Sequence, residues 1–475
     1  MRCVKKGEKI RMSKVWKRIV ASAMVLCMMI GCTACSSVGN SSKKESGKQK
    51  VIKVGWYTAW YLSKDYYDKL FENFETMYPE YKIEKTDVQS VSELVSQVQS
   101  GTQPDCWLGG DPNNTNLTVG YYEGVFQSID KYLEKDDTVN LKNMDPEQMK
   151  LTEYNGKYYG LPVHSTQQCL VYNKKLFAEA GLDPDHAPET WEEFYKYAKK
   201  LTKYDSNGFI TQLGVSNGPW VYQLENSDGS TGTFKKDRIT SNYDSDWVLK
   251  LHEFCNKCFE ITENKSAKKD TELDFSKGNV AMSIGDFQSL SDTELSREDM
   301  GIAYLPKPTG VKKNYIPSLL FYFIGIPEGC KNPDDGWTFM KYLLTDGAYL
   351  QNSESYLKNP KGYIPQQIAH IPTKKKVYKE FESKVSDETK QFIEKRDGLL
   401  KNAEVVVENY SPIQSTLKDI EEKWNKKMSN GEVSLKEALQ GINKEYNAQL
   451  ATWEKQQQKK GWKFPNGKEA VAPEK

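Results

Sequence analysis

Histidine is scarce in this chain: four in 475 residues. So is any excess of charge, since 66 basic residues face 65 acidic ones, a balance that argues against a nucleic-acid partner. The nine cysteines have neither the count nor the spacing of a disulfide framework. Cys255-Asn-Lys-Cys258 has the spacing of half a metal site. Yet Trp247, Leu251, Phe254, Cys255 and Cys258 recur at helical spacing, so both thiols are expected in a helix core rather than on zinc. Asp205-Ser-Asn-Gly208 begins like a calcium loop, but an apolar strand follows and no Glu stands at the twelfth position, so a plain Asx turn is expected.

Also missing is an apolar run of spanning length: Ile19–Ile30 falls short of the roughly 20 residues that a transmembrane helix needs. Lys14, Lys17 and Arg18 precede it, and small residues around Cys32 and Cys35 follow. This arrangement resembles a bacterial lipoprotein signal peptide, in which the cysteine after the cleavage point is acylated by lipid such as palmitate. Cys35 is the expected anchor, with 1–34 as signal; Cys32 is the alternative, and neither site matches the pattern fully. The stretch 35–50, rich in Ser, Gly and Lys, reads as a flexible tether.

What the chain does have is tyrosine and tryptophan, 28 and 11, more than so polar a composition calls for. Amphipathic rings suit flat, hydroxyl-rich ligands as well as ordinary packing. The length implies roughly two to three domains. Val51–Tyr57, Tyr81–Val88 and Pro104–Leu108 read as strands, separated by a helix carrying Tyr67, Leu70, Phe71, Phe74 and Tyr78 and by a second one opened at Ser90-Val-Ser-Glu93 and closed by Gly101. That β-α-β-α-β order predicts a parallel sheet flanked by helices, with ligands outside the strands' carboxyl ends, at Trp56–Tyr61 and Gly109–Asn113. Asn155–Phe177 predicts two strands joined by a polar run, Pro162–Gln168; the second, Cys169–Tyr172, ends at Asn173, a helix N-cap, and the joined pair reads as a crossing between two α/β lobes, with ligand chemistry where Val163–Gln168 passes between them. Thr190-Trp-Glu-Glu193 and Ser434-Leu-Lys-Glu437 are capping boxes, Asn332-Pro333 a helix start, and Leu319–Ile326 a strand buried on both faces.

Taken in order, the lipoprotein signal, Gly101-Thr-Gln-Pro-Asp-Cys-Trp107, Tyr154-Asn-Gly-Lys-Tyr-Tyr-Gly-Leu-Pro162, Val171-Tyr-Asn-Lys-Lys-Leu-Phe-Ala-Glu-Ala-Gly-Leu182, Thr190-Trp-Glu-Glu-Phe194, Phe275-Ser-Lys-Gly-Asn-Val-Ala-Met282 and Gly362-Tyr-Ile-Pro365 form a set. The set resembles the family 1 extracellular solute-binding proteins of ATP-binding-cassette (ABC) importers, in the carbohydrate-binding group that includes maltose-binding protein. The resemblance covers roughly Val51 to Trp453.

It implies an α/β, two-lobe periplasmic-binding-protein-like fold of type II, each lobe a mostly parallel sheet flanked by helices. The lobes are expected to be discontinuous, 51–163 with 280–323 and 168–277 with 327–455, joined by crossings near Val163–Gln168, Gly278–Phe287 and Phe323–Pro327; 456–475 is expected to fray. It further implies a sugar-binding, non-enzymatic receptor without cofactor or metal. That receptor would be a monomer, lipid-anchored on the outer face of a Gram-positive cell membrane and serving transmembrane permease subunits. By the same resemblance the ligand residues are Phe287 and Trp220 as stacking rings and Asp111 on sugar hydroxyls. Asp286, Tyr57, Trp60, Tyr61, His164 and Gln167 stand around them. Tyr121-Tyr122 and Tyr158-Tyr159 invite comparison with iron binders, but the second pair falls in the Gly-Lys-Tyr-Tyr-Gly motif of sugar-binding members. Alternatives left open are a receptor for a peptide, phosphonate or metal, a surface glycosidase needing two flanking carboxylates, and an adhesion scaffold.

Overall fold

The computed structural model describes residues 49–475 apart from 58–63, 111–116, 217–223, 231, 262–266, 268–271, 287–294, 359, 361–362, 366, 408–409 and 474–475. The strands that matter for function are β1 (Lys50–Trp56), β2 (Tyr81–Asp87), β3 (Cys106–Gly110), β4 (Leu161–Asn173), β5 (Met282–Asp286), β6 (Met300–Ala303), β7 (Tyr315–Gly325) and β8 (Glu404–Val407). The helices used below are α1 (Lys64–Met77), α2 (Val91–Ser100), α3 (Pro146–Met149), α4 (Trp191–Leu201), α5 (Asp246–Phe259), α6 (Pro333–Tyr342), α7 (Ile371–Phe381), α8 (Asp387–Lys401), α9 (Gln414–Ser429) and α10 (Leu435–Lys459).

Local chemistry sets the ends of these elements as the sequence implies. Ser90, Asn173, Thr190 and Ser434 each accept a backbone N–H of the first helical turn, and Gly101 closes α2 in the left-handed region at φ 71°. Asn332 behaves differently. Its side chain does not cap α6; its backbone N–H and its Nδ2 both donate to Asp105 Oδ1, at 3.1 and 3.2 Å, while Asp105 Oδ2 accepts from the Lys53 N–H at 2.8 Å. One buried carboxylate thus fastens β1 to the start of α6. Asp205 makes the Asx turn, accepting from the N–H groups of Asn207 and Phe209. Cys255 and Cys258 are buried free thiols on the core side of α5.

One mixed sheet runs β6-β4-β7-β3-β1-β2, with β5 added on β4 and β8 on β7. The pairs β1/β2 and β1/β3 are parallel, and β3/β7 and β7/β4 antiparallel. β4 changes partners halfway. Leu161–Gln167 pairs with β7, whereas Gln168–Asn173 pairs with β5 and β6. β7 changes likewise, pairing through Tyr315–Ser318 with β8 and through Tyr322–Gly325 with β3. Two register shifts fall between β7 and β4, flanking Tyr322, and bulges of this kind sharpen the local twist.

Around the β1-β2-β3 half lies a core of Ile52, Val54, Phe71, Phe74, Cys106 and Leu108 with Trp337, Phe339 and Tyr342 of α6. Around the far half of β4 lie Leu170, Tyr172, Phe177, Trp191, Phe194 and Cys255 on one side and Cys169, Val171, Ile302, Phe381 and Phe392 on the other.

These pairings correct the expected division of the chain. Residues 282–286 and 300–303, expected with the first lobe, hydrogen-bond to the far half of β4, in the second; α6, expected with the second, packs on β1 and β3. The Gly278–Phe287 segment runs along β4 and, as far as it is described, does not cross. Motif order fixes where strands lie in the chain; which half of a 13-residue strand each one joins depends on tertiary pairing. The tail is a further correction. Trp462 and Ala470 are buried, Lys463 pairs with Val471, Tyr121 Oη donates to the Ala470 carbonyl at 3.1 Å, and Arg238 bridges to Glu469 at 3.2 Å. The expected frayed end is docked because Trp462 enters the cluster of Tyr121, Tyr122 and Trp453. The Tyr121-Tyr122 pair is therefore packing, with Tyr121 stacked on Tyr154 and edge-on to Trp462.

Candidate functional site

The carboxyl ends of β1 and β3 lie where β7 and β4 leave the first half of the sheet. Tyr57, next after β1, donates its backbone N–H to Leu108 O at 3.1 Å, which holds the start of the loop against β3. Gly110, the last residue of β3, stands opposite Tyr322, and Tyr322 stands opposite His164. The side chains follow the same order. The Tyr57 and Tyr322 rings are 6.2 Å apart, and the Tyr322 and His164 rings 6.4 Å. Two of the expected site residues, Tyr57 and His164, are thus brought together by Tyr322, which was not among those expected.

Tyr322 was hidden in the apolar run Leu319–Ile326, which reads as plain core. Its position follows from the irregularity on either side of it, which sequence periodicity does not reveal.

Beyond His164, β4 continues with alternating faces. Thr166 and Gln168 follow it at two-residue steps, and Gln168 stands opposite Asp286 at the end of β5. Thr166 Oγ1 and Gln168 Oε1 are buried without a hydrogen-bond partner. Buried polar atoms are nearly always paired, so these two oxygens on one face of β4 are candidates to receive a water or a ligand group. Counting by twos from His164 would have found both.

Gln167, expected beside His164, faces the other way. Its Nε2 donates to Ser318 Oγ at 3.2 Å and lies 3.4 Å from Ser165 Oγ, which in turn donates to Gln148 Oε1 at 3.2 Å. Burial alone pushes the His164 imidazole down to about 4, so the ring is neutral at ordinary pH. Phe287, Trp220, Asp111, Trp60 and Tyr61, like Cys35 and Cys32, lie outside the described residues. Among the described residues no group of three or more His, Cys, Asp or Glu side chains gathers as a metal site would require, and no helix is long and apolar enough to cross a membrane.

With this geometry in view, comparison with known proteins is informative. Residues 62–349, more than half of the chain, match the family described as bacterial extracellular solute-binding protein. The maltotriose-binding protein of Pyrococcus abyssi is 23% identical over 323 residues, which cover 64% of this chain and 65% of that protein, so the match spans just under two thirds of that relative's length. The sn-glycerol-3-phosphate-binding periplasmic protein of Escherichia coli is 28% identical over 171 residues, covering 33% of this chain and 37% of that one. Among solved structures, the ABC substrate-binding protein of Listeria monocytogenes in complex with cycloalternan superposes with a TM-score of 0.63 at 17% identity, covering 85% of this chain and all (100%) of that one. The maltose/maltodextrin-binding domain of Bdellovibrio bacteriovorus bound to maltotriose gives 0.58 at 18% identity, covering 84% of this chain and 100% of that domain. These relatives are binding proteins, and the fold they share with this chain is the two-lobe α/β fold of type II. The chain belongs to the bacterial extracellular solute-binding protein family.

Proposed function

We propose that this chain is the substrate-binding lipoprotein of an ABC importer, capturing a sugar, specifically an oligosaccharide, between its lobes and delivering it to the membrane permease by hinge closure. The observation that carries this reading is the row of rings Tyr57, Tyr322 and His164 beside the orphaned Thr166 and Gln168 oxygens. Rings take the apolar faces of sugars, and polar atoms without protein partners take their hydroxyls. The maltotriose, maltodextrin and cycloalternan binders among its relatives support the same ligand class. The joint lies at Ser165–Gln168 of β4 and Ser318–Tyr322 of β7. Closure there needs only that the ligand touch both lobes in the closed state and one in the open state. Binding without bond cleavage suffices, and the protein acts as a monomer with no cofactor.

By the resemblance, Phe287 and Trp220 stack on the ligand and Asp111 receives hydroxyls, with Asp286, Trp60 and Tyr61 nearby. Calorimetry against a glycan panel tests the ligand class; binding to peptides or phosphonates but to no glycan would overturn the sugar assignment, and cleavage of the glycan would overturn the receptor. In Tyr57→Ala, Phe287→Ala and Trp220→Ala, glycan affinity is expected to fall about 2- to 13-fold each, the equivalent of ~0.5–1.5 kcal/mol per aromatic contact. Unchanged affinity in all three would mean that the ligand lies elsewhere.

Acylation at Cys35 places the receptor on the outer face of the membrane, tethered through 36–50. Cys35→Ala is expected to abolish incorporation of a lipid label. Label that persists in this variant and disappears in Cys32→Ala would move the anchor to Cys32.

A further inference from the structure

Behind the joint, on the face of β4 opposite His164, is a cavity of about 280 Å³ that the sugar reading does not use. Its floor is made by Gln167 and Ser318, one from each crossing strand, and its walls by Gln148 of α3, Gln367, Lys374 of α7 and Lys401 of α8. The four uncharged polar residues are all more than nine-tenths buried. Gln367 Nε2 is buried without a hydrogen-bond partner.

The charges around this cavity are not evenly committed. Three carboxylates line it: Glu147 pairs with Lys150 at 2.8 Å and Asp397 with Arg396 at 2.9 Å, while Asp145 accepts the backbone N–H groups of Glu147 and Gln148 at 3.0 and 3.4 Å. Among the described residues Lys374 and Lys401 enter no ion pair. Outside those pairs the cavity holds two ammonium groups on different helices, Lys401 and Lys374, the latter 5.7 Å from the Tyr378 ring centroid, and the Gln367 amide donor.

We propose that this cavity is a second ligand site, for a small dicarboxylate. Two separate cations call for two anionic ends, and the buried amides supply directional hydrogen bonds between them. The volume gives room for a four-carbon acid.

Occupancy has a consequence for the front of the joint, which rests on the receptor reading. α3 belongs to the first half through Met149, and α8 to the second through Phe392 and Ile393. Rotation about β4 and β7 that closes the His164 face separates these walls. A dicarboxylate held between them therefore opposes closure and weakens glycan binding, and the effect is reciprocal.

The test is calorimetric titration of the full chain with succinate at fixed ionic strength, since exposed cations are screened by salt. Saturable binding is expected, falling at least ten-fold in Lys374→Gln/Lys401→Gln and unchanged in Lys375→Gln/Lys376→Gln. Absence of saturable heat, or equal affinity in the two double variants, overturns the site. Repeating a glycan titration with succinate saturating should give several-fold weaker binding; unchanged or tighter glycan binding overturns the coupling while leaving the site. Failure of every glycan to bind would count against the receptor reading alone, because the succinate titration does not depend on it.

Discussion

Trp107→Ala is expected to lower the free energy of unfolding by about 3–5 kcal/mol, the range for deleting a fully buried large aromatic side chain. Trp107 is wholly buried in β3. Its ring is stacked on Phe126 at 5.8 Å, meets Phe323 edge-on at 5.7 Å, and donates Nε1–H to Val88 O at 3.2 Å. Two glycines make room for it: a Cβ on Gly109 would come within 2.2 Å of the indole, and one on Gly55 within 2.7 Å. Truncation therefore leaves a cavity walled by rigid rings and backbone, with a buried carbonyl short of its donor.

Because Trp107 and Phe323 lie close to the Gly110–Tyr322 pair, the loss should also loosen that pairing at the end of β3. Denaturant unfolding checks the prediction: the midpoint falls with the slope unchanged, and Trp107→Phe lies between wild type and Trp107→Ala. A change below about 1 kcal/mol would show that the site collapses around the gap.

What the sequence discloses here is local chemistry. Caps at Ser90, Thr190 and Ser434 depend on contacts three residues away, and the helical stripe with Cys255 and Cys258 depends on one periodicity, so both are legible from single segments. The family is legible because its motifs come in a fixed order, and the match over residues 62–349 bears this out. Pairing is another matter. Nothing within Met282–Asp286 or Pro333–Tyr342 says which half of a long strand it will join, and both were expected in the wrong lobe.

The candidate site divides on the same line. His164 and Tyr57 carry polar or amphipathic side chains at a strand junction and stand out by type. Tyr322 needs the two register shifts around it, and the turn of Gln167 away from the His164 face needs Ser318, a partner that lies far from it in the chain. The tail looked frayed because it is polar, yet a few contacts of Trp462, Glu469 and Ala470 hold it.

Stability is expected to fall steeply as pH drops from about 6.5 toward about 4, through two histidines kept neutral by burial. His164 and His252 are each pushed from 6.5 down to about 4 by burial. In this window the unfolded chain binds protons at both sites and the native chain does not, so the slope of unfolding free energy with pH is positive. The contribution is complete above about 6.5 and is lost as pH falls through the folded values. Each histidine corresponds to roughly 3 kcal/mol at most. Both residues are partly exposed at their edges, so the two together are expected to contribute about 4 kcal/mol after screening by solvent.

His370, also lowered by burial, behaves more mildly, since its Nε2–H donates to Thr138 O at 3.2 Å and that bond survives protonation. His252 Nε2 is buried without a hydrogen-bond partner, so no acceptor there offsets the charge of a protonated ring. Denaturant unfolding at a series of pH values checks the sign. His164→Asn and His252→Asn should each flatten the profile between about 4 and 6.5, and a wild-type profile already flat there would refute it. The two variants should differ in one respect. Only His164 stands on the crossing strand opposite Tyr322, so only His164→Asn should also remove an acid-induced loss of glycan binding, because a charged imidazole there draws water into the face that rings and hydroxyls would otherwise share.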